Sequence, residues 1–212
     1  MGKNTFSVSI KGILYQAGKY LLRKNQRNEF ELLGGRLEVD DVSPEDRVIK
    51  EFLEESGVEI KVEAHREPWL YEIAKKNIII VPYLCSVLKC PKDLYDKDGG
   101  TIYWVEKDAL DAIHMPVGYL DSIRNIIPRK GFSPLPGDYF KIIPNYTEKD
   151  YFVKIILKNL DGEIVIDEYL EHFVAPRDLI RAKMKEEYNE NNIISLPISK
   201  ERDTVIINYL LI

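Results

Sequence analysis

Between Ser43 and Gly57 the hydrophobic period of this chain changes from two to about 3.6, and strand patterns stand on both sides of the change. Upstream, FSVSIKGILY (6–15) sets Phe6, Val8 and Ile10 on one face with polar partners opposite. KYLLRK (19–24) follows an Ala17-Gly18 turn, and FELL (30–33) runs into Gly34-Gly35. Downstream, VEIKVEAH (58–65), WLYEIA (69–74), NIIIVPYLCSVLK (77–89) and TIYWVE (101–106) all read as strands. A polar, turn-rich loop, PKDLYDKDGG (91–100), precedes the last of them. Within the bracketed segment Val48, Ile49, Phe52 and Leu53 recur at helical spacing. Ser43 suits the N-cap, Pro44 the first helical position, Asp46 the capping-box slot and Gly57 the residue past the end. One helix crossing between strands calls for an α/β fold of the α+β type, built on a mixed, strand-rich sheet. Short helices are expected at 107–113 and 118–127.

The end of that helix, KEFLEESG (50–57), carries an electrostatic anomaly. Glu51, Glu54 and Glu55 fall at i, i+3 and i+4, on one narrow face. They sit where the helix dipole is already negative, at a cost of roughly 0.3–1 kcal/mol each. A solvated acidic face is the ordinary explanation of such a stretch taken alone. A divalent cation is the other, because bound Mg²⁺ or Mn²⁺ turns mutual repulsion into attraction and takes oxygen ligands. In that arrangement Ile49, Phe52 and Leu53 would anchor the helix to the sheet.

The residues upstream bear on this choice. GGRLE (34–38) ends a strand and opens the loop into the helix, and its glycines let the backbone approach a ligand closely. Together GGRLE and KEFLEESGV, residues 35–58, resemble the Nudix box: Gly, five residues, Glu, seven residues, then Arg-Glu-apolar-x-Glu-Glu-x-Gly-apolar. The resemblance covers roughly residues 5–128 and not the tail. There are two departures. Lys50 stands where the family has arginine, offering a point charge in place of a planar fork. The loop is one residue longer, with Asp41 six positions after Gly35 and Val42 as the insertion.

The resemblance implies a Nudix-like mixed β-sheet sandwiched by helices, and a Mg²⁺- or Mn²⁺-dependent hydrolase of a nucleoside diphosphate linked to another moiety. Glu51, Glu54 and Glu55 would ligate metal, with a carbonyl of the Gly34-Gly35 turn completing the shell. Glu51 and Lys50 are the candidate catalytic pair, and Gly35, Arg36 and Arg23 the candidate substrate contacts. The base stays open between Glu51, Asp93, Asp96, Asp98 and Glu106. His65, His114 and His172 show no ligand spacing, Cys85 reads as core, and Trp69, Tyr71, Tyr83 and Tyr103 read as sheet packing before base stacking.

PRKGFSPLPG (128–137) marks a boundary between a domain at 1–128 and a small α+β accessory domain at 129–212. The tail offers a hairpin turning at Asp161-Gly162, a helix over 175–190, and closing strands IISLPI and TVIINYLLI. The apolar last strand is a candidate dimer edge unless its own domain covers it. A nucleotide-sensing regulator acting through the tail is the alternative function. Net charge argues against a nucleic-acid partner: it is −1 up to residue 130 (20 Lys and Arg against 21 Asp and Glu) and −4 beyond (10 against 14). A hydrophobic fraction of 45% without any run near membrane-spanning length fits a globular chain that spans no membrane. The opening MGKNTFSVSIKG lacks signal-peptide character, and Cys85 and Cys90 alone make no disulfide framework. Both point to a cytoplasmic protein with free thiols.

Overall fold

The computed structural model describes residues 4–73, 76–96, 99–128, 131–133 and 150–212. Its axis is β1 (Thr5–Gln16), paired in parallel with β6 (Lys76–Lys89) from Ser7 opposite Ile78 to Leu14 opposite Cys85. A parallel pair is buried on both faces, and here two apolar clusters do this. One gathers Phe6, Val8, Ile10, Val48 and Phe52, and the other Ile13, Leu22, Trp69, Ile80 and Tyr119. The expected alternation in β1 is therefore corrected on its polar side. Ser9 and Lys11 are buried, because that side is covered too.

At its C-terminal end β1 turns through Ala17 and Gly18, both at positive φ as a tight hairpin requires, into β2 (Lys19–Lys24). β2 pairs with β3 (Phe30–Leu32) and with β7 (Thr101–Glu106). β4 (Glu59–His65) and β5 (Trp69–Ile73) both pair antiparallel with β6. A short β8 (Gly131–Ser133) runs alongside β5.

The signalled helix is α1 (Pro44–Ser56), and its ends are as the sequence indicates. Ser43 accepts from Asp46 N–H, and Gly57 closes the helix at φ 71 with its N–H on Leu53 O. Its packing face is not the expected one. Val48 and Phe52 face the sheet with Glu51 and Glu55, whereas Ile49 and Leu53 are 37% and 50% exposed. Gly12 explains the choice: a Cβ there would lie 2.3 Å from the Phe52 ring, so only glycine admits the ring between helix and strand. The next helices are a 3₁₀ segment, Lys107–Ala112, and α2 (Val117–Arg124). Gly118 of α2 packs directly on Trp69.

The tail extends the same sheet. β9 (Tyr151–Lys158) pairs with the start of β1, Phe6 opposite Tyr151, and forms the expected hairpin with β10 (Ile164–Tyr169). α3 (Pro176–Met184) stops six residues short of the expected helix, at Lys185 with φ 53. β11 (Ile193–Ser195) and an unforeseen β12 (Ser199–Glu201) both pair with β13 (Thr204–Leu211), which runs parallel to β9. The last strand is thus paired along both edges within the chain. The first apolar cluster continues through Tyr151, Ile155, Ile207 and Tyr209. Of the boundary segment 128–137, residues 129–130 and 134–137 lie outside the described residues, as do Ala74, Lys97 and Asp98 of the expected loop and strand. Among the described residues no helix is long and apolar enough to cross a membrane.

Candidate active site

The segment after β3 runs back along β1, with Gly12 N–H on Leu33 O, Ile10 N–H on Gly35 O and Leu37 N–H on Val8 O. Gly34 sits there at φ 129, and a Cβ on it would lie 2.2 Å from Ile10 O. At Gly35 a Cβ would fall 1.9 Å from Glu51 Oε1. The two glycines thus form a floor on which a carboxylate from α1 can rest.

Glu51 and Glu55, one helical turn apart, reach that floor, and both are buried. Gly34 N–H donates to Glu55 Oε2 at 2.9 Å, and Arg23 Nη1 stands 3.8 Å from Glu55 Oε1. Arg47 Nη2 holds Glu51 Oε1. Burial dominates the electrostatics. It pushes the Glu55 carboxyl up to about 7 against the pull of Lys11, the Gly34 N–H and Arg23. It raises Glu51 as well, against the opposing pull of Arg47 and Lys11. Glu54, the third acid, is exposed at the rim.

Around this pair lies a network that the sequence did not announce. Lys11 Nζ donates to Gly34 O at 2.6 Å and lies 3.9 Å from Glu31 Oε2. Arg23 Nη1 reaches Glu31 Oε1 at 3.1 Å, and Arg23 Nε reaches Asp96 Oδ2 at 2.5 Å. Burial alone would raise Glu31, but Lys11, Arg27 and Arg23 together hold it below the ordinary carboxylate range. Lys11, Glu31 and Arg47 carry no motif. Their charge on otherwise apolar or short strands and one turn before Glu51 was the available signal.

The expected site residues divide accordingly. Glu51, Glu55, Gly34, Gly35 and Arg23 converge. Arg23 does so as a partner of Asp96, Glu31 and Glu55, not as an open phosphate contact. Arg36 lies alongside, bridged to Ser9. Lys50 turns away from the trio: its Nζ is 3.1 Å from Asp41 Oδ1, and the arginine on Glu51 is Arg47 instead. Asp41 also accepts from Glu38 N–H at 2.7 Å, so the loop acid latches its own loop. Of the other candidate bases, Glu106 pairs with Lys19 at 2.9 Å, Asp93 is exposed, and Asp98 is outside the described residues.

Trp69, Tyr71 and Tyr83 are core, while Tyr103 is 42% exposed beside Phe30. The Cys85 thiol is pushed up to about 12 by burial, as a core thiol should be. His65 and His172 spend Nε2 on backbone carbonyls, Ser195 O at 2.7 Å and Thr5 O at 2.8 Å.

The donor chemistry fits a hard divalent cation: carboxylates and peptide carbonyls, with a glycine cradle that a Cβ would fill. Among the described residues no three acid, histidine or cysteine side chains close into a ready-made cage.

No family model matches the sequence, and no curated protein matches it. Solved structures do. A Nudix hydrolase from Nitrosomonas europaea superposes with a TM-score of 0.50 at 18% identity, over 66% of this chain and 97% of that one. The chain has the Nudix fold. A MutT protein from Methanosarcina mazei Go1 (TM-score 0.49, 19% identity, 58% and 94% of the two chains) is also similar. So is an ADP-ribose pyrophosphatase from Streptococcus suis 89-1591 (0.44, 20%, 61% and 100%). The Nitrosomonas structure is matched almost end to end, so a third of this chain is additional to that Nudix frame.

Proposed function

We propose that the protein is a Mg²⁺- or Mn²⁺-dependent hydrolase of the Nudix type, cleaving a diphosphate bond in a nucleoside diphosphate joined to a second moiety. The observation that carries this is the placement of Glu51 and Glu55, buried and adjacent, over the Gly34-Gly35 floor of a Nudix fold. Stability alone does not favour two acids there, since each buried carboxylate costs free energy unless fully compensated. Glu51, Glu54 and Glu55 would hold the cation. When bound, it supplies positive charge against the diphosphate and acidity to a water.

The chain's own residues do the rest. Arg47 fixes the direction of the Glu51 carboxylate, and the Gly34 N–H fixes that of Glu55. Of the candidate bases, Glu51 is the one that rests on the Gly34-Gly35 floor, and we assign it that role. It accepts a proton from the water that attacks phosphorus in line. Arg23, Lys11 and Glu31 set the field beneath the site. A sensor acting through the tail is not favoured, since the tail's strands continue the Nudix sheet.

The test is a panel of nucleoside triphosphates, ADP-ribose, NADH, nucleotide sugars and dinucleoside polyphosphates, each with Mg²⁺ or Mn²⁺. Metal-dependent release of a nucleoside monophosphate or of phosphate from one class is expected. No hydrolysis across the panel would remove the assignment.

A further inference from the structure

Lys200, on β12 of the tail, places its Nζ 2.6 Å from Glu38 O, 2.8 Å from Val39 O and 2.9 Å from Asp41 O. An ammonium has three N–H donors and no acceptor, so its whole capacity is spent on one four-residue stretch of backbone. Nζ also stands 6.0 Å from the centre of the Tyr151 ring on β9, within cation–π range. Three carbonyl oxygens turned toward one point repel each other, and the ammonium between them offsets that repulsion.

This stretch is the loop that leads into α1. Within it Asp41 accepts from Glu38 N–H at 2.7 Å and from Lys50 Nζ at 3.1 Å. Arg47 Nη2 lies 3.1 Å from Glu38 Oε1, and the same nitrogen holds Glu51. A continuous chain of contacts therefore runs from the tail to the site: Lys200, loop 38–41, Arg47, Glu51. The tail itself is tied down elsewhere, because Arg177 grips Glu67 through two nitrogens at 3.0 and 2.9 Å. Lys200 thus works from a tail that is attached at a second point.

We infer that Lys200 is a positioning residue for the active site, and that the tail serves the reaction by fixing loop 38–41 and, through Arg47, the direction of Glu51. Its effect on turnover rests on the hydrolase reading above, whereas its effect on the loop does not.

Lys200→Met keeps the apolar stem and removes all three donors. Hydrogen exchange at the amides of Glu38 and Asp41 should quicken at least tenfold while β9 keeps its protection. Affinity for Mn²⁺ alone should weaken about fivefold or more. With any substrate the wild type turns over, kcat should fall at least tenfold and KM move less than threefold. Lys183→Met, which removes an exposed tail lysine bound to Glu168, should change none of these. Unchanged exchange at Glu38 and Asp41 would overturn the inference. So would Mn²⁺ affinity equal to that of the Lys183 variant. If the wild type neither hydrolyses the panel nor binds Mn²⁺, the hydrolase reading fails and the exchange measurement alone decides the role of Lys200. Should Lys200→Met not fold, Lys200→Arg keeps the charge but spreads its donors over a plane, and an intermediate rise in exchange at the same amides is expected. Wild-type exchange in that arginine variant would equally overturn the inference.

Discussion

Two glutamates in this molecule, Glu55 buried and Glu67 with its side chain 10% exposed, are treated in opposite ways. Glu67, at the junction with the tail, is gripped by the Arg177 fork and receives the Tyr209 hydroxyl at 2.7 Å, while the Arg177 guanidinium lies 5.3 Å from the Tyr209 ring centre. Glu55, under α1, has one backbone N–H and an arginine at 3.8 Å, and burial raises its carboxyl to about 7. The first is compensated by a fork, a hydroxyl and a ring face, as a structural ion pair must be. The second is compensated only in part, and the missing charge is what a divalent cation would supply. Burial of an acid is therefore not itself a sign of function; incomplete compensation beside a glycine floor is.

The largest expected consequence is in turnover. Glu55→Gln should cut metal-dependent hydrolysis by roughly 10²–10³-fold, the scale of losing one charge-stabilising group in an active site. The glutamine oxygen can still accept from Gly34 N–H, so the fold should survive. Its melting temperature in cation-free buffer at pH 8 should equal or exceed the wild type's. A fall in both activity and Tm would make Glu55 a structural acid like Glu67 and erase the contrast.

Glu67→Gln should do the reverse. Breaking a buried pair by removing one charge costs about 3–5 kcal/mol, read as a lower denaturation midpoint by chemical unfolding. Once the variant is folded at low temperature, kcat should stay within a few-fold of wild type. A stable variant with lost activity would move Glu67 into the site's machinery.

Much of this contrast was hidden from the sequence, for identifiable reasons. The ends of α1 were legible because Ser43, Pro44 and Gly57 act within one turn of themselves. The acids of the trio were legible because their spacing is local. Which face of α1 is buried was not. Periodicity assumes that apolar residues face the sheet, but Gly12, more than thirty positions upstream, admits Phe52 and leaves Ile49 and Leu53 outside. Lys11, Asp96 and Lys200 reach their partners across 23 to 162 positions, and Glu31 meets Arg23 across the β2–β3 pairing, none of which a local pattern encodes. Lys50 stands beside Glu51 in sequence but pairs with Asp41, whereas on a helix Arg47, at i−4, is the neighbour of Glu51.

Glu55 also ties the stability of the protein to pH. The folded-state carboxyl of Glu55 lies near 7, above its ordinary value of 4.5. The folded protein therefore binds more protons than the unfolded chain between those values, and its stability falls as pH rises through 7. Glu51 acts in the same direction. Glu31, held low, contributes stability that is lost only as pH falls below the ordinary carboxylate range, so a window from pH 5 to 8 isolates the α1 pair. Cation-free protein should lose on the order of 2–3 kcal/mol across it. Glu55→Gln should flatten the curve, and millimolar Mg²⁺ should restore stability at the alkaline end. A flat wild-type curve would mean that Glu55 is compensated after all.

The smallest effect separates Glu54 from its neighbours. It shares their helical face by spacing, yet it is exposed, so neither desolvation nor packing acts on it in the folded protein. Glu54→Gln removes one charge from a repelling acid cluster near the helix C-terminus, and cation-free stability should move by no more than about 0.5 kcal/mol. Affinity for Mn²⁺ is the discriminating measurement. An exposed carboxylate at the mouth of the site helps a cation that keeps part of its water shell, and its loss should weaken binding severalfold while the fold stands still. Unchanged Mn²⁺ affinity would leave Glu51 and Glu55 as the holding pair and return Glu54 to the solvated face of an ordinary helix. A loss of stability above 1 kcal/mol would instead show that Glu54 is engaged in the folded protein, and that the contrast with Glu67 rests on Glu55 alone.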